Sequence, residues 1–582
     1  MMNDTQLDEL LTQWKTECAP QPGAFGSEAE FETRFFGKAN AEKQKRETRW
    51  SMSDLVREIG KLAPVPGRIP GVHCMASSAF RCSAMPIAGA LSENLCMRDM
   101  PALFDAEAEI VPGSAPAFDT EEYKTVGEKP FVAVSAGPLS TFGADVDTAM
   151  YAQLRRMILE ENRLPPPEAV RLEELINYFR YDYPMPEGDA VMRPHFELGP
   201  SPWDPARKLL LVGVQAKTPV EEELPPSHYV FLIDNSGSMD FVFPMVREAM
   251  TTLAKQLRSG DKVSMVTYGG GVRVLLEGAS DVKKVCRTIG RLKVGGYTPG
   301  GKGIQTAYRL AEKHFIPGGN NRIVLITDGD FNVGASSEAA LVEMVKSKRD
   351  TGIYLSIAGC GMGNFKDNKL KMLANKGNGN VFYLDSVREA KRVFAHGMTG
   401  NMYALARDVK FQIEFNPGQV FAYRLLGYEL RDMTARDFRD DSKESGTVGL
   451  GQQVTALYEI IPADAADEVK SAAVPKMPPL KYQTVAAVAG DELLTFRIRY
   501  REAQENGAAH EDATAVKPQL PATANWGWAS AVAEFGLALR HSQAAPGASA
   551  EHAAQEAQKY LGEDADGDRA EFLLMIRRIP PK

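Results

Sequence analysis

The stretch "HYVFLIDNSGSMDF", His228 to Phe241, decides how the chain folds. Five consecutive apolar residues, Tyr229 to Ile233, stop at Asp234 and give way to Asn-Ser-Gly-Ser. An unbroken apolar run of this length reads as a strand buried on both faces, as in a parallel sheet covered by helices. Asp234, Ser236 and Ser238 then follow at every second position, just past the strand's carboxyl end. Open α/β sheets bind their ligands at that edge. One carboxylate and two hydroxyls are hard oxygen donors, a set that suits Mg²⁺, which prefers oxygen and keeps bound water.

Working outward, "KVSMVTY", "RIVLITD", "IYLSIAG" and "NVFYLD" are further apolar runs of strand length. Helical stretches are predicted between and after them, at 244–257, 282–292, 303–314, 338–348 and 388–394, and glycines 269–271 read as a turn between two strands. The expected domain is therefore α/β, with a doubly wound, mostly parallel, Rossmann-like sheet. On either side the pattern alternates apolar and polar, at 192–218 and 408–500, as antiparallel strands do. The simplest arrangement is one β-sandwich assembled from both flanks with the α/β domain inserted. Helices expected at 145–183, broken by the prolines at 165–167, and at 525–580 pack around it. This divides the chain into a helical start and poorly ordered linker (1–135), a preceding segment of two helices then strands (136–226), the α/β domain (227–400) and a C-terminal domain of strands then helices (401–582).

Two further loops bring oxygen to the same edge. "GGYTPGGKG" carries Thr298 ahead of a helix, and "RIVLITDGD" ends a buried strand on Asp328. With these, the sequence resembles a von Willebrand factor type A domain, whose metal-ion-dependent adhesion site has the pattern Asp-x-Ser-x-Ser, a Thr, and an Asp-Gly. Asp234, Ser236, Ser238, Thr298 and Asp328 match it position by position. The segments "LSTFGADVDTAMYAQLRRM", "PSPWDPARKLLLVGVQ" and "WASAVAEFGLALR" resemble the flanks of a bacterial subfamily, so the likeness extends over roughly 137–582. It implies a Mg²⁺ or Mn²⁺ ion held by Asp234 and Asp328 largely through water and by three hydroxyls, with an Asp or Glu of a protein partner completing the shell. The helix after the last strand, which moves in some relatives, corresponds to 388–394. Many subfamily members are exported or lipid-anchored.

The rest of the sequence narrows the alternatives. The chain has 582 residues, 25% of them charged, and a net charge of -9. That length predicts about two to four domains, and the acidic balance argues against nucleic acid as the main partner. No signal peptide or apolar run long enough to span a membrane is visible, so a cytoplasmic location is expected. The cysteines (18, 74, 82, 96, 286 and 360) form no CxxC pair. Cys74, Cys82 and Cys96, with His73 nearby, read as free thiols or a local disulfide rather than a metal cluster. "GYTPGGKG" nearly makes a phosphate-binding loop but has Gly303 where Ser or Thr is required. "DADGD", 564–568, hints at a calcium loop but has Arg569 in place of the Gly and Met575 in place of the Glu, and reads as a turn before the last helix. The rival function is a serine or metal-dependent hydrolase. Ser236 or Ser238 as nucleophile would need a base, and chain order puts neither His228 nor His314 at the right edge. Asp240 and Asp330, close to the site, read as neighbours of the metal ligands or as solvated.

Overall fold

A computed structural model describes residues 127–580, apart from 145–146, 219–223, 296–300, 329–337, 361–366, 397, 475–489 and 504–508. The expected helical start, most of the expected linker, His73 and cysteines 18, 74, 82 and 96 lie outside the described residues. Of the described cysteines, Cys286 is half-buried, Cys360 is buried, and both are free thiols.

Four strands precede the α/β region: β1 (Val132–Ala133), β2 (Leu139–Gly143), β3 (Met192–Ser201) and β4 (Asp204–Ala216). Six build it: β5 (Ser227–Asp234), β6 (Lys262–Tyr268), β7 (Val272–Ala279), β8 (Asn320–Thr327), β9 (Ile353–Cys360) and β10 (Val381–Leu384). Seven follow: β11 (Ala404–Phe415), β12 (Val420–Leu426), β13 (Asp432–Met433), β14 (Gly446–Gly449), β15 (Gln453–Pro462), β16 (Leu494–Glu502) and β17 (His510–Val516).

The central sheet has the order β10-β9-β8-β5-β6-β7, with β7 antiparallel to β6 and every other pair parallel. All eight residues of β5 and all eight of β8 are buried, because side chains leave a strand alternately to both faces and helices cover both. Tyr229, Phe231 and Ile233 pack with the helices Phe243–Lys255 and Val282–Gly290. Val230 and Leu232 pack with Gly301–Lys313, Glu338–Asp350 and Asp367–Lys376. That last helix was not anticipated. It is rich in Asn and Lys, and its only apolar stripe is Leu370, Leu373 and Ala374, all buried.

The two antiparallel sheets have the orders β1-β12-β15-β4-β3 and β13-β2-β11-β16-β17, with β14 also on β11. Each draws strands from both sides of the α/β region, and their facing side chains share one core that includes Phe142, Val212, Phe411, Tyr458 and Phe496. The outer face of the β15–β4 sheet is covered by a helical layer in which Trp526, Trp528, Phe535 and Phe572 pack on Leu209, Leu211 and Leu457. Strands β1 and β2 correct the expected linker and the expected start of the preceding segment. They are two and five residues long, and their partners are remote: Val132 pairs with Tyr423, and Phe142 with Phe411. The chain leaves the sandwich after β4 and returns at β11, and both crossings are tied to one spot. Gly451 N donates to Lys217 O at 2.9 Å, and Leu450 N donates to Tyr403 O at 3.1 Å.

A buried ionic cluster locks the α/β region to its flanks. Arg155, on the helix Ala149–Arg155, donates to both oxygens of Asp385 at 2.7 and 2.5 Å, to Glu389 at 3.0 Å and to Glu571 at 2.7 Å. Asp385 and Glu389 belong to the turn and helix after β10, and Glu571 to the terminal helix Asp568–Arg577. Arg392 binds Glu389 at 2.8 Å and lies 3.9 Å from the centre of the Tyr178 ring. Arg388 reaches Glu571 at 2.7 Å and Asp568 at 2.5 Å. Against the upward push of burial, Arg392 and Arg155 hold Glu389 down to about 2. Burial pushes Asp568 up to about 6 despite Arg388. Removing one partner from such a cluster strands the others in low dielectric, a loss of about 3 to 5 kcal/mol. Arg155→Met is therefore expected to lower unfolding free energy by that order in urea denaturation. A change under about 1 kcal/mol would show the cluster to be incidental.

Candidate functional site

The carboxyl edge of the central sheet gathers most of the oxygen donors named from the sequence. Strands β5 and β8 are parallel neighbours, with Ile233 opposite Ile326, so Asp234 and Asp328 stand at adjoining strand ends. Both are buried, at 4% and 7% exposure. After Asp234 the backbone turns sharply: Ser236 N donates to Asp234 Oδ1 at 2.8 Å, an Asx-type turn. The turn continues into the short helix Gly237–Met239, and Ser236 Oγ and Ser238 Oγ come within 3.1 Å of one another. Met239 anchors the loop from below: it is fully buried, with its sulfur 3.8 Å from Cys360 Sγ at the end of β9.

Thr298 and Asp330 lie outside the described residues, as does most of the glycine-rich segment 296–302. The helix that follows begins at Gly301, and Lys302 is exposed. Asp240 is exposed, as expected of a solvated carboxylate.

The electrostatics of the edge are those of a site short of positive charge. Burial raises the Asp234 carboxyl above its usual range, the Ser236 amide lowers it, and the Asp328 charge raises it again. Burial, together with Asp328 and Asp234, also pushes the Cys360 thiol well up. A divalent cation would relieve both the desolvation and the mutual repulsion of these carboxylates. Among the described residues no three or more His, Cys, Asp or Glu side chains gather as a metal site. The candidate set fits that finding, since it offers two carboxylates and depends on hydroxyls. Such an oxygen-only donor set fits Mg²⁺ or Mn²⁺.

Two residues that sequence reasoning missed shape the edge. Tyr268 ends β6 directly opposite Asp234 and is buried. Burial, and then the Asp234 charge, hold its hydroxyl well above the ordinary tyrosine range. The sequence marks Tyr268 only as the end of an apolar run, and its place opposite Asp234 comes from the register of β6 on β5. The second is Gly269, in the turn after β6. A Cβ there would lie 2.5 Å from both the Asn235 carbonyl carbon and the Ser236 nitrogen. Only glycine lets this turn press on the backbone of the serine loop. Gly269→Ala is expected to displace the loop while leaving the sheet intact. Thermal melts should keep a metal-free midpoint within a few degrees of wild type but lose any upward shift that added Mg²⁺ gives the wild type.

The histidines weighed as catalytic bases stand elsewhere. His228 is the second residue of β5, roughly 20 Å from Asp234 by strand rise, is fully buried, and shares a hydrogen bond with Ser264 Oγ at 3.0 Å. His314 pairs with Glu277 at 3.1 Å. Burial, with the charges of His314 and Lys262, lowers His228 from 6.5 to about 4. The neutral ring is thus favoured in the fold. Its penalty on stability is absent above pH 6.5 and grows as pH falls toward 4, where the unfolded chain takes up a proton that the folded chain refuses. His228→Gln should flatten the fall in unfolding free energy between pH 6.5 and 4 in denaturant titrations. An unchanged slope would remove this assignment.

The suspected calcium loop is a helix cap. Asp564 Oδ1 accepts from Arg569 N at 3.2 Å and Oδ2 from Ala570 N at 2.8 Å, while Gly567 takes φ 72°. Its carboxylate is spent on backbone amides.

Comparison with known proteins gives three family matches. A model described as "von Willebrand factor type A domain" matches residues 229–396. One described as "von Willebrand factor" matches 117–211, and one described as "Uncharacterized protein YfbK, C-terminal" matches 400–580. "Uncharacterized protein YfbK" of Escherichia coli (strain K12) is 37% identical over 477 residues, covering 78% of this chain and 80% of that protein. "Uncharacterized protein sll0103" of Synechocystis is 24% identical over 196 residues, 32% of this chain and 45% of that one. Among solved structures, "von Willebrand factor type A from Catenulispora acidiphila" aligns over 69% of this chain and 91% of its own length, at 15% identity and a TM-score of 0.38. BatB from Bacteroides thetaiotaomicron aligns over 30% and 97%, at 20% identity and a TM-score of 0.26. Among the described residues no helix is long and apolar enough to cross a membrane.

Proposed function

Because the chain belongs to the YfbK family of von Willebrand factor type A domain proteins, we propose that it is a protein-binding module whose contact is made through a divalent metal. Asp234, Ser236, Ser238, Thr298 and Asp328 hold a Mg²⁺ or Mn²⁺ ion, and an Asp or Glu of a protein partner completes its shell. The observation that carries this reading is the pairing of two buried carboxylates at adjoining strand ends with two serine hydroxyls 3.1 Å apart. When bound, the ion supplies a positive centre that a carboxylate can ligate. The chain's own residues do the rest: Asp234 fixes the turn through the Ser236 amide, Met239 pins it, and Gly269 sets how closely the neighbouring turn approaches.

The reading is of binding rather than catalysis. Hydrolysis by Ser236 or Ser238 would need a base within hydrogen-bond reach, and the histidines considered for that role are engaged with Ser264 and Glu277.

Asp234→Ala tests the proposal, with circular dichroism as the control for folding. Wild type should show a Mg²⁺-dependent rise in melting temperature and retain, from native lysate, a partner that chelator releases. The variant should melt cooperatively but show neither effect. Equal capture by both proteins, with and without chelator, would overturn the metal-site reading.

A further inference from the structure

We propose that the partner's metal-binding carboxylate lies within an acidic peptide segment, whose neighbouring carboxylates settle into two basic depressions beside the serine loop. This inference rests on the metal-site reading above and adds the partner's chemistry to it.

The chain as a whole is acidic, yet the region from 269 to 313 carries nine lysines and arginines against three carboxylates. Four of those cations line two hollows that meet at Gly271. The first, about 320 Å³, is bounded by Asn235 of the serine loop together with Arg273 and Lys293. The second, about 510 Å³, is bounded by Lys302, Gln305 and Arg309. Among the described residues no carboxylate lines either hollow. Among the described residues none of these four cations forms an ion pair with a carboxylate, and all four are exposed.

Asn235 fixes the first hollow against the loop. Its Nδ2 donates to Lys293 O at 3.1 Å, and its own carbonyl accepts from Gly295 N at 2.8 Å. The basic rim is thus tied through the backbone to the residue between Asp234 and Ser236. A lone carboxylate from a partner would engage the metal and leave these cations unanswered. An acidic segment engages both, with the rim charges steering the encounter and setting register.

The surroundings favour polypeptide over nucleic acid. Phe241, three residues past Ser238, is 62% exposed. Strand β7 is the sheet's edge, and its Val274 and Leu275 are 46% and 39% exposed. Apolar side chains and a free strand edge beside a charged rim match what another protein offers.

Two fluorescein-labelled peptides of eleven residues test the proposal by anisotropy against the full chain. One carries five Asp or Glu residues, and the other keeps a single central Glu with Gln in the other four places. Each is titrated with Mg²⁺ and with chelator, at low and high salt. Wild type with Mg²⁺ should bind the acidic peptide roughly tenfold tighter than its single-Glu counterpart, with the advantage shrinking as salt rises. The double variants Arg273→Glu/Lys293→Glu and Lys302→Glu/Arg309→Glu should each erode that advantage while leaving the Mg²⁺-induced melting shift intact. The neutral pair Arg273→Gln/Lys293→Gln serves if charge reversal disturbs folding.

Equal binding of the two peptides, no binding of either, or a full advantage in every variant overturns the inference. So does a DNA oligonucleotide of equal charge that binds as tightly as the acidic peptide. Charge-dependent binding that ignores chelator would support the basic hollows and sink the metal site. Chelator-sensitive binding indifferent to rim charge would do the reverse.

Discussion

The Arg155 guanidinium is the constraint on which the architecture depends. It sits on a helix before the α/β region, takes two carboxylates that follow that region's last strand, and takes a third from the terminal helix. Three parts of the chain far apart in sequence therefore meet at one buried cation. Its charge tolerates burial because Asp385, Glu389, Glu571 and the Tyr178 hydroxyl occupy its donors. The same cluster holds the helix after β10. Any movement of that helix must separate Arg155 from Asp385 and Glu389, Arg392 from the Tyr178 ring, and Arg388 from the terminal helix. The helical layer behind the sandwich is thus tied directly to the helix that follows the sheet's last strand.

That edge concentrates buried negative charge. Asp234 is desolvated and stands beside another buried carboxylate, and the loop that follows it is held by hydrogen bonds from Ser236 N to Asp234, from Gly295 N to Asn235 O and from Asn235 Nδ2 to Lys293 O, and by a buried methionine. A desolvated carboxylate beside a second one is the kind of charge arrangement that a bound cation would stabilise. Polar groups collected at the end of a fully buried strand give the surface its chemistry, while the strand behind them gives rigidity.

Much of this was legible in the sequence, for identifiable reasons. The runs around Phe231 and Leu325 are apolar at consecutive positions because helices cover both faces, and that pattern is local. Asp234, Ser236, Ser238 and Asp328 could be placed because each follows such a run directly. The division of the sandwich between two flanks was legible from alternating strands on both sides. What escaped was non-local. Strands β1 and β2 are defined by partners nearly three hundred residues away. Tyr268 looks like an ordinary strand end until its register with Asp234 is known. The Arg155 cluster has no sequence signal, since each member is an unremarkable charge on a short helix or turn. The helix Asp367–Lys376 was hidden by a polar composition around only three buried residues.

The way the α/β region is threaded through the sandwich has a consequence for assembly. The chain departs at Lys217 and returns at Tyr403, and both residues are hydrogen-bonded to the adjacent pair Leu450 and Gly451. Strand β4 can pair with β15, and β2 with β11, only after the long intervening segment has brought its ends together. An unstructured connection of that length would oppose closure entropically, whereas a folded α/β body removes most of the opposition by fixing its two ends side by side. Once the α/β body is folded, the long sequence separation of Lys217 from Tyr403 therefore adds little to the entropic cost of closing the sandwich.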